Sequence, residues 1–280
     1  MPRPLAEACT RHLETSTATE LQALSLFEAD ETGAAWQIEA YFGSAEEAAE
    51  ACRSVKSIAQ FAACASTVEE LAKADWVRQS LRGLTAIKVG RFFIHGSHDR
   101  ALRPSNGIAI EINAATAFGT GHHGSTRGCL LALETLLRKH EPRRVIDIGS
   151  GSGILAIAAS RALRRRVLAC DIDVEAVQIT AANARLNGAA VTAVVAAGTR
   201  HRVIEAAAPY DLILANILAR PLVQLAPSLI RITARGGHLI LSGLLAEQRK
   251  WVASVYRALG FTPANLLDDE GWLTLVMRRA

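Results

Sequence analysis

Cysteine is scarce in this 280-residue chain and is not grouped. The five residues Cys9, Cys52, Cys64, Cys129 and Cys170 are odd in number, widely spaced and without a C-x-x-C pair. That argues against a disulfide framework and against a cysteine zinc site. Cys170, inside an apolar strand pattern, reads as a small buried hydrophobe. Long apolar runs are missing as well. No stretch approaches the roughly 18–20 uninterrupted apolar residues of a membrane span. Met1 to Leu13 carries Arg3, Glu7, Arg11 and His12 and lacks the apolar centre of a secretory signal, so a cytoplasmic protein is expected. No dominant repeat or low-complexity tract is present.

What is present is a hydrophobic half (50%) in a chain long enough for one large α/β domain and a smaller one. The net charge of +4 conceals an asymmetry. Residues 1–75 hold 5 Lys and Arg against 13 Asp and Glu, a net −8, whereas residues 76–280 carry +12. An acidic front segment repels phosphate backbones and attracts basic proteins, although a solvated surface would look the same.

The front segment, residues 1–75, reads as α+β. Ala23 to Glu28 and the alternating run Trp36, Ile38, Ala40, Phe42 predict two strands, with turn residues Asp30 to Gly33 between them. Ser44, three before Glu47, predicts the N-cap of a helix to about Phe61, and Ala62 to Thr67 is taken as a third strand. Residues 76–113 form a bridge, with a short helix at Trp76 to Leu81 and short strands at 84–89, 91–95 and 107–112. Residues 114–280 are read as one domain, in which helices and strands alternate from about 125 onward. Strands are predicted at 145–148, 167–172, 191–195, 210–215, 238–242, 261–266 and 272–278, with helices at 125–139, 154–163, 174–187, 219–232 and 246–259. Near-continuous apolar strands alternating with helices predict a parallel, doubly wound sheet.

Four segments carry chemistry. Asp147-Ile148-Gly149-Ser150-Gly151-Ser152-Gly153 is a glycine-rich turn between a strand and a helix, where backbone N–H groups face a ligand. Its G-x-G-x-G spacing differs from the G-x-G-x-x-G dinucleotide fingerprint. Asp171-Ile172-Asp173 ends the next strand. A carboxylate there can accept both hydroxyls of a ribose, in an adenosyl group or in NAD. Asp171 is favoured for that role, and Asp173 for capping the next helix. Asn216, in Ala215-Asn216-Ile217-Leu218 at the end of the fourth strand, can present its side-chain oxygen to a substrate N–H. Phe118-Gly119-Thr120-Gly121-His122-His123-Gly124 is a pliable loop, and Ser125 or Thr126 can cap the helix after it. The adjacent histidines diverge in direction and have no third ligand nearby, so no metal is expected; a general-base role for His123 stays open.

Together these segments resemble the ribosomal protein L11 methyltransferase family. The family's loop reads Ala-Phe-Gly-Thr-Gly-Thr-His-Pro-Thr-Thr. The chain matches it from Ala117 to Gly121, at His123 and at Thr126, and departs at His122, Gly124 and Ser125. Asp147 to Ala158, Asp171-Ile172-Asp173, Asn183-Ala184 with Asn187-Gly188, Asn216-Ile217-Leu218-Ala219 and Leu241 to Leu245 match too. The resemblance spans about residues 115–275; the first 70 residues match only in layout. It implies a ferredoxin-like substrate-recognition domain joined to a seven-stranded class I methyltransferase domain. It implies S-adenosylmethionine as cofactor and a basic ribosomal protein as partner, methylated on lysine side chains and the N-terminal amine. Carried over by position, the cofactor-binding residues are Thr126, Gly149, Gly151, Asp171 and Asn216. Asn216 is also catalytic, and Phe118, Gly119, Thr120, Gly121 and His123 form the substrate or lid loop. A monomer is expected, with no membrane and no direct nucleic acid required. Rival readings are a methyltransferase of another protein, RNA or a small molecule, an NAD-dependent oxidoreductase, and a non-catalytic cofactor-binding protein.

Overall fold

The computed structural model describes residues 1–15, 21–28, 36–69, 86–112, 124–269 and 271–280. They divide into two compact units, Met1–Lys73 and Ala74–Ala280. None of the described helices is long and apolar enough to cross a membrane.

The first unit begins with helix α1 (Arg3–Thr15), followed by strands β1 (Leu21–Glu28) and β2 (Trp36–Phe42) and helix α2 (Ala45–Ser57). β1 and β2 pair antiparallel, with Leu24 opposite Ala40 and Leu26 opposite Ile38. Cys9, Leu13, Ala51 and Phe61 are buried as this unit's own core, with Leu24, Ile38, Ala40 and Phe42 packed against them. Ser44 caps α2 by accepting from the Glu47 N–H at 3.2 Å. The strand expected at 62–67 is absent. Successive turns instead link Phe61 N–H to Ile58 C=O and Cys64 N–H to Phe61 C=O. The reason is local: this run of Ala, Cys and Ser has no β-branched residue before Thr67, and it meets the core only through the preceding Phe61 and the partly buried Cys64. A ferredoxin-like sheet has four strands; the described residues of this unit supply two. The helix expected at 76–81 lies outside the described residues.

The second unit opens with a three-stranded sheet, β3 (Ile87–Val89), β4 (Phe92–His95) and β5 (Ile108–Glu111). The main sheet follows. Its strands are β6 (Val145–Ile148), β7 (Val167–Asp171), β8 (Val191–Val195), β9 (Tyr210–Asn216), β10 (Thr233–Leu245), β11 (Phe261–Asp269) and β12 (Trp272–Arg279), in spatial order β11-β12-β10-β9-β6-β7-β8. The helices are α3 (Gly124–Leu137), α4 (Ile154–Leu163), α5 (Val174–Leu186), α6 (Arg202–Ala207), α7 (Ala219–Ile232) and α8 (Arg249–Ala258). This is the class I methyltransferase architecture.

The sheet is doubly wound, as its side-chain alternation shows. On β9, Leu212 and Leu214 enter one core with α3, α4 and the small sheet, while Ile213 and Ala215 enter the other with α7 and α8. The expected parallel, doubly wound sheet is present, with one strand reversed. β12 runs antiparallel to both β10 and β11, so a single reversed strand lies between two that share the common direction. The cause is chain length: β11 ends at Asp269 and β12 begins at Trp272, a separation that suits a hairpin, whereas a parallel neighbour needs a crossover of a dozen residues or more. β10 is also longer than the expected 238–242.

Candidate active site

The carboxyl ends of β6, β7 and β9 lie side by side, and each sequence-singled residue in the described region is found there. The turn after β6 is built by conformation rather than by side chains. Gly149, Gly151 and Gly153 adopt φ of +72°, +51° and +81°, values that L-residues with a Cβ avoid. At Gly149 a Cβ would also collide with Ile217, the residue after Asn216. The glycines therefore let the β6 turn approach the β9 tip. The backbone N–H groups of Gly149 and Ser150 donate to the Cys170 carbonyl at 2.8 and 3.0 Å, which anchors the turn on β7.

Asp171 organises that turn. Its Oδ2 accepts the Gly151 N–H at 2.9 Å and its Oδ1 accepts the Asp173 N–H at 3.1 Å. Each carboxylate oxygen retains a further lone pair for an outside donor. Asp173 caps α5 by accepting the Glu175 N–H at 2.9 Å, as expected. Below the loop, Thr180 donates to the Gly151 carbonyl at 2.9 Å, and Asn183 donates to the Ser152 carbonyl at 2.8 Å.

Asn216, at the end of β9, donates from Nδ2 to Thr126 Oγ1 at 3.3 Å. This bond joins two residues 90 positions apart and engages one of the two amide N–H groups, which orients the side chain and leaves Oδ1 as the acceptor for a substrate. Thr126 departs from its expected role. α3 already begins at Gly124, so Ser125 and Thr126 lie inside its first turn, both buried, and are not its cap. Close packing fixes that turn. A Cβ at Gly124 would meet the Asp269 carbonyl and one at Gly128 would meet Thr274, while Arg127 pairs with Asp269 at 2.7 Å. Phe118, Gly119, Thr120, Gly121 and His123 lie outside the described residues.

Three features escaped the sequence reading. Ile172, directly after Asp171, is 75% exposed, and Leu218, two residues after Asn216, is 69% exposed. Apolar side chains left in water at strand tips suit the flat face of a base and the stem of a long side chain. Their position after a polar residue at a strand end was the available signal. The third is Asp147. Burial pushes its carboxyl up to about 7. Oδ2 accepts the Ala156 N–H at 3.0 Å, and Oδ1 is buried without a partner among the described residues. A buried acceptor left open beneath a glycine turn fits a cationic or N–H-bearing ligand. The residues present thus fit the amino-acid and ribose portions of S-adenosylmethionine.

Comparison with known proteins follows the same lines. The profile of the ribosomal protein L11 methyltransferase (PrmA) family matches residues 6–280. A ribosomal protein L11 methyltransferase of Rhodopseudomonas palustris (strain BisB5) is 51% identical over 220 residues, covering 78% of this chain and 75% of that protein. One from Mesorhizobium japonicum is 43% identical over 277 residues, covering 98% and 95%. The crystal structure of a ribosomal protein L11 methylase from Lactobacillus delbrueckii subsp. bulgaricus superposes with a TM-score of 0.63 at 28% identity, covering 70% of this chain and 99% of that one. With the match running nearly end to end, and the glycine turn, Asp171 and Asn216 gathered at one set of strand tips, the chain belongs to the ribosomal protein L11 methyltransferase family.

Proposed function

We propose that this protein transfers methyl groups from S-adenosylmethionine to amino groups of ribosomal protein L11, on lysine side chains and the N-terminal amine. The observation that carries the reading is the Asn216–Thr126 hydrogen bond beside the glycine turn. It holds an amide oxygen ready to accept an N–H where the strands end.

S-adenosylmethionine supplies an electrophilic methyl group on a sulfonium whose sulfur departs neutral. No oxyanion develops, so the chain's work is positioning and proton management. The ribose hydroxyls would donate to Asp171, and the ammonium end would lie near Asp147 and the Gly149–Gly153 turn. Asn216 Oδ1 and the carbonyl of Ala215 would accept the two N–H groups of the substrate amine and so aim its lone pair. A lysine amine is neutral only above about pH 10.4 in water, and an α-amine above about 8. Enclosure among apolar side chains such as Leu218 and Ile217 disfavours the charged form and lowers that threshold. The front unit, with its acidic surface, is assigned to recognition of the basic substrate.

Incubation with isotopically labelled S-adenosylmethionine and ribosomal proteins, followed by mass spectrometry, tests the reading. Label on lysine or N-terminal nitrogens of L11 is expected. Label confined to RNA or to oxygen would overturn it.

A further inference from the structure

The main sheet has a second end, where strands start and helices finish, and positive charge is concentrated there. The turn from α3 to β6 runs Arg138-Lys139-His140-Glu141-Pro142-Arg143-Arg144, and the turn from α4 to β7 runs Arg164-Arg165-Arg166. β6 and β7 pair in register, Ile146 with Leu168, so the two turns are neighbours. The Arg165–Glu141 ion pair at 2.8 Å ties them together. The two segments bring seven basic side chains together with one carboxylate, Glu141. Two nearby acids are already committed. Glu134 is buried between Arg91 and Arg138, and Asp211 accepts the backbone N–H groups of Arg143 and Arg144 at 2.8 and 2.9 Å. Lys139, Arg143, Arg164 and Arg166 are exposed and form no ion pair among the described residues.

Helix C-termini attract a cation or two through the macrodipole. That does not account for Arg164, which is the residue with positive φ that is not glycine (φ +53°, ψ +39°) among the described residues. Where α5 and α8 end, the left-handed positions are held by Gly188 and Gly260, as the steric cost of a Cβ there dictates. At the equivalent stop of α4 the chain tolerates that cost and places a guanidinium in solvent. Strain retained at an exposed position points to a use for the side chain.

We propose that this face is a docking surface for the phosphate backbone of RNA. Six of the seven cations are arginine, whose forked donors suit phosphate oxygens. Neither turn exposes an apolar or aromatic side chain of the kind that inserts into lipid. The choice of RNA over DNA rests on the reading of a ribosomal protein as substrate; the preference for a polyanion does not. β9 spans about 20 Å from Tyr210 to Asn216, so RNA on this face leaves the methyl-transfer tips open. Bound there, the enzyme would be concentrated beside RNA-associated proteins.

The test is fluorescence anisotropy of a labelled 20-base-pair RNA duplex against the full chain. With about four phosphates neutralised, raising salt from 50 to 200 mM should weaken binding on the order of 100-fold. Arg164→Gly should keep or raise the melting temperature, weaken RNA binding several-fold and reduce the salt slope by about one. The triple variant Lys139→Ser, Arg143→Ser, Arg166→Ser should lose at least tenfold in RNA affinity. Both variants should methylate the isolated protein substrate as the wild type does. Absence of RNA binding at 50 mM salt, or unchanged affinity in both variants, would overturn the proposal. Equal or tighter binding to a DNA duplex or to anionic vesicles would overturn the assignment to RNA. Loss of RNA binding alone leaves the methyl-transfer reading intact, and failure of methyl transfer with RNA binding retained removes that reading instead.

Discussion

Each of three polar side chains at the strand tips has a separable consequence. Asn216 is tied to Thr126 and is the residue proposed to hold the amine. Asn216→Ala is expected to lower kcat by about 100-fold, the scale of a misplaced reactant, with weaker cofactor binding; unchanged turnover in a single-turnover assay would remove it from the mechanism. Asp171 holds the Gly151 N–H and is assigned the ribose. Asp171→Ala should weaken S-adenosylmethionine binding by roughly 1.5–3 kcal/mol, as charge-assisted hydrogen bonds are worth, read by titration calorimetry. Asp147 carries a pH signature. Its folded carboxyl titrates at about 7 because burial penalises the charge, while an unfolded one titrates near 3.9. Below about pH 4 both states are protonated and nothing is lost. As pH rises toward 7 the unfolded state ionises first, so stability falls across that window and the full cost is present above it. Asp147→Asn should remove that slope. Its stability relative to wild type should rise by about 2–4 kcal/mol between pH 4 and pH 8, measured by urea unfolding; a pH-independent difference would contradict the burial argument.

Between elements, the contacts that matter join segments far apart in the chain. Asn187, at the end of α5, is buried and saturates the β5 backbone. It accepts the Glu111 N–H and donates to the Glu111 carbonyl, both at 2.7 Å, and donates to the Asn183 carbonyl at 2.8 Å. The Glu111 carboxylate is gripped by Arg100 and Arg103, whose hydrogen bonds and charge hold its pKa below the usual range. The small sheet is thereby locked to the helix that supports the glycine turn. Asn187→Ala leaves two backbone groups of β5 without partners and should cost about 2–4 kcal/mol. A chemical denaturation midpoint equal to that of wild type would refute this. Asn183-Ala184 and Asn187-Gly188 were visible in the sequence as motifs, yet their partners, Ser152 and Glu111, were not. Side-chain to backbone bonds across 31 and 76 positions leave no periodic trace. α1 was missed although its trace is present: Pro4 in the first turn, then Leu5, Cys9 and Leu13 on one face.

For the whole molecule, two units with separate cores imply separable roles. The core of the first unit, around Cys9, Leu13, Ala51 and Phe61, is its own. Removing residues 1–73 should leave cofactor affinity in place and abolish methylation of the protein substrate. Equal methylation by the truncated chain, measured with the same labelled donor, would dismiss the recognition role. The charge asymmetry read from composition gains a location here. The +12 of residues 76–280 is not spread evenly but includes the seven cations gathered at the start of β6 and β7, at the far end of the sheet from Asn216.

The sequence by itself determined the alternation of helix and strand from residue 125 on, the glycine turn, the capping by Asp173 and the residues at the strand tips. Each of these is written in local spacing: period two or period 3.6, a glycine where φ is positive, a short polar residue ahead of a helix. Tertiary structure alone decided that β12 runs backwards between β10 and β11, that Thr126 serves Asn216 and does not cap α3, and that two arginine-rich turns adjoin. Those outcomes depend on which segments become neighbours, and neighbourhood is set by long-range packing of the two faces of the sheet, which no local pattern encodes.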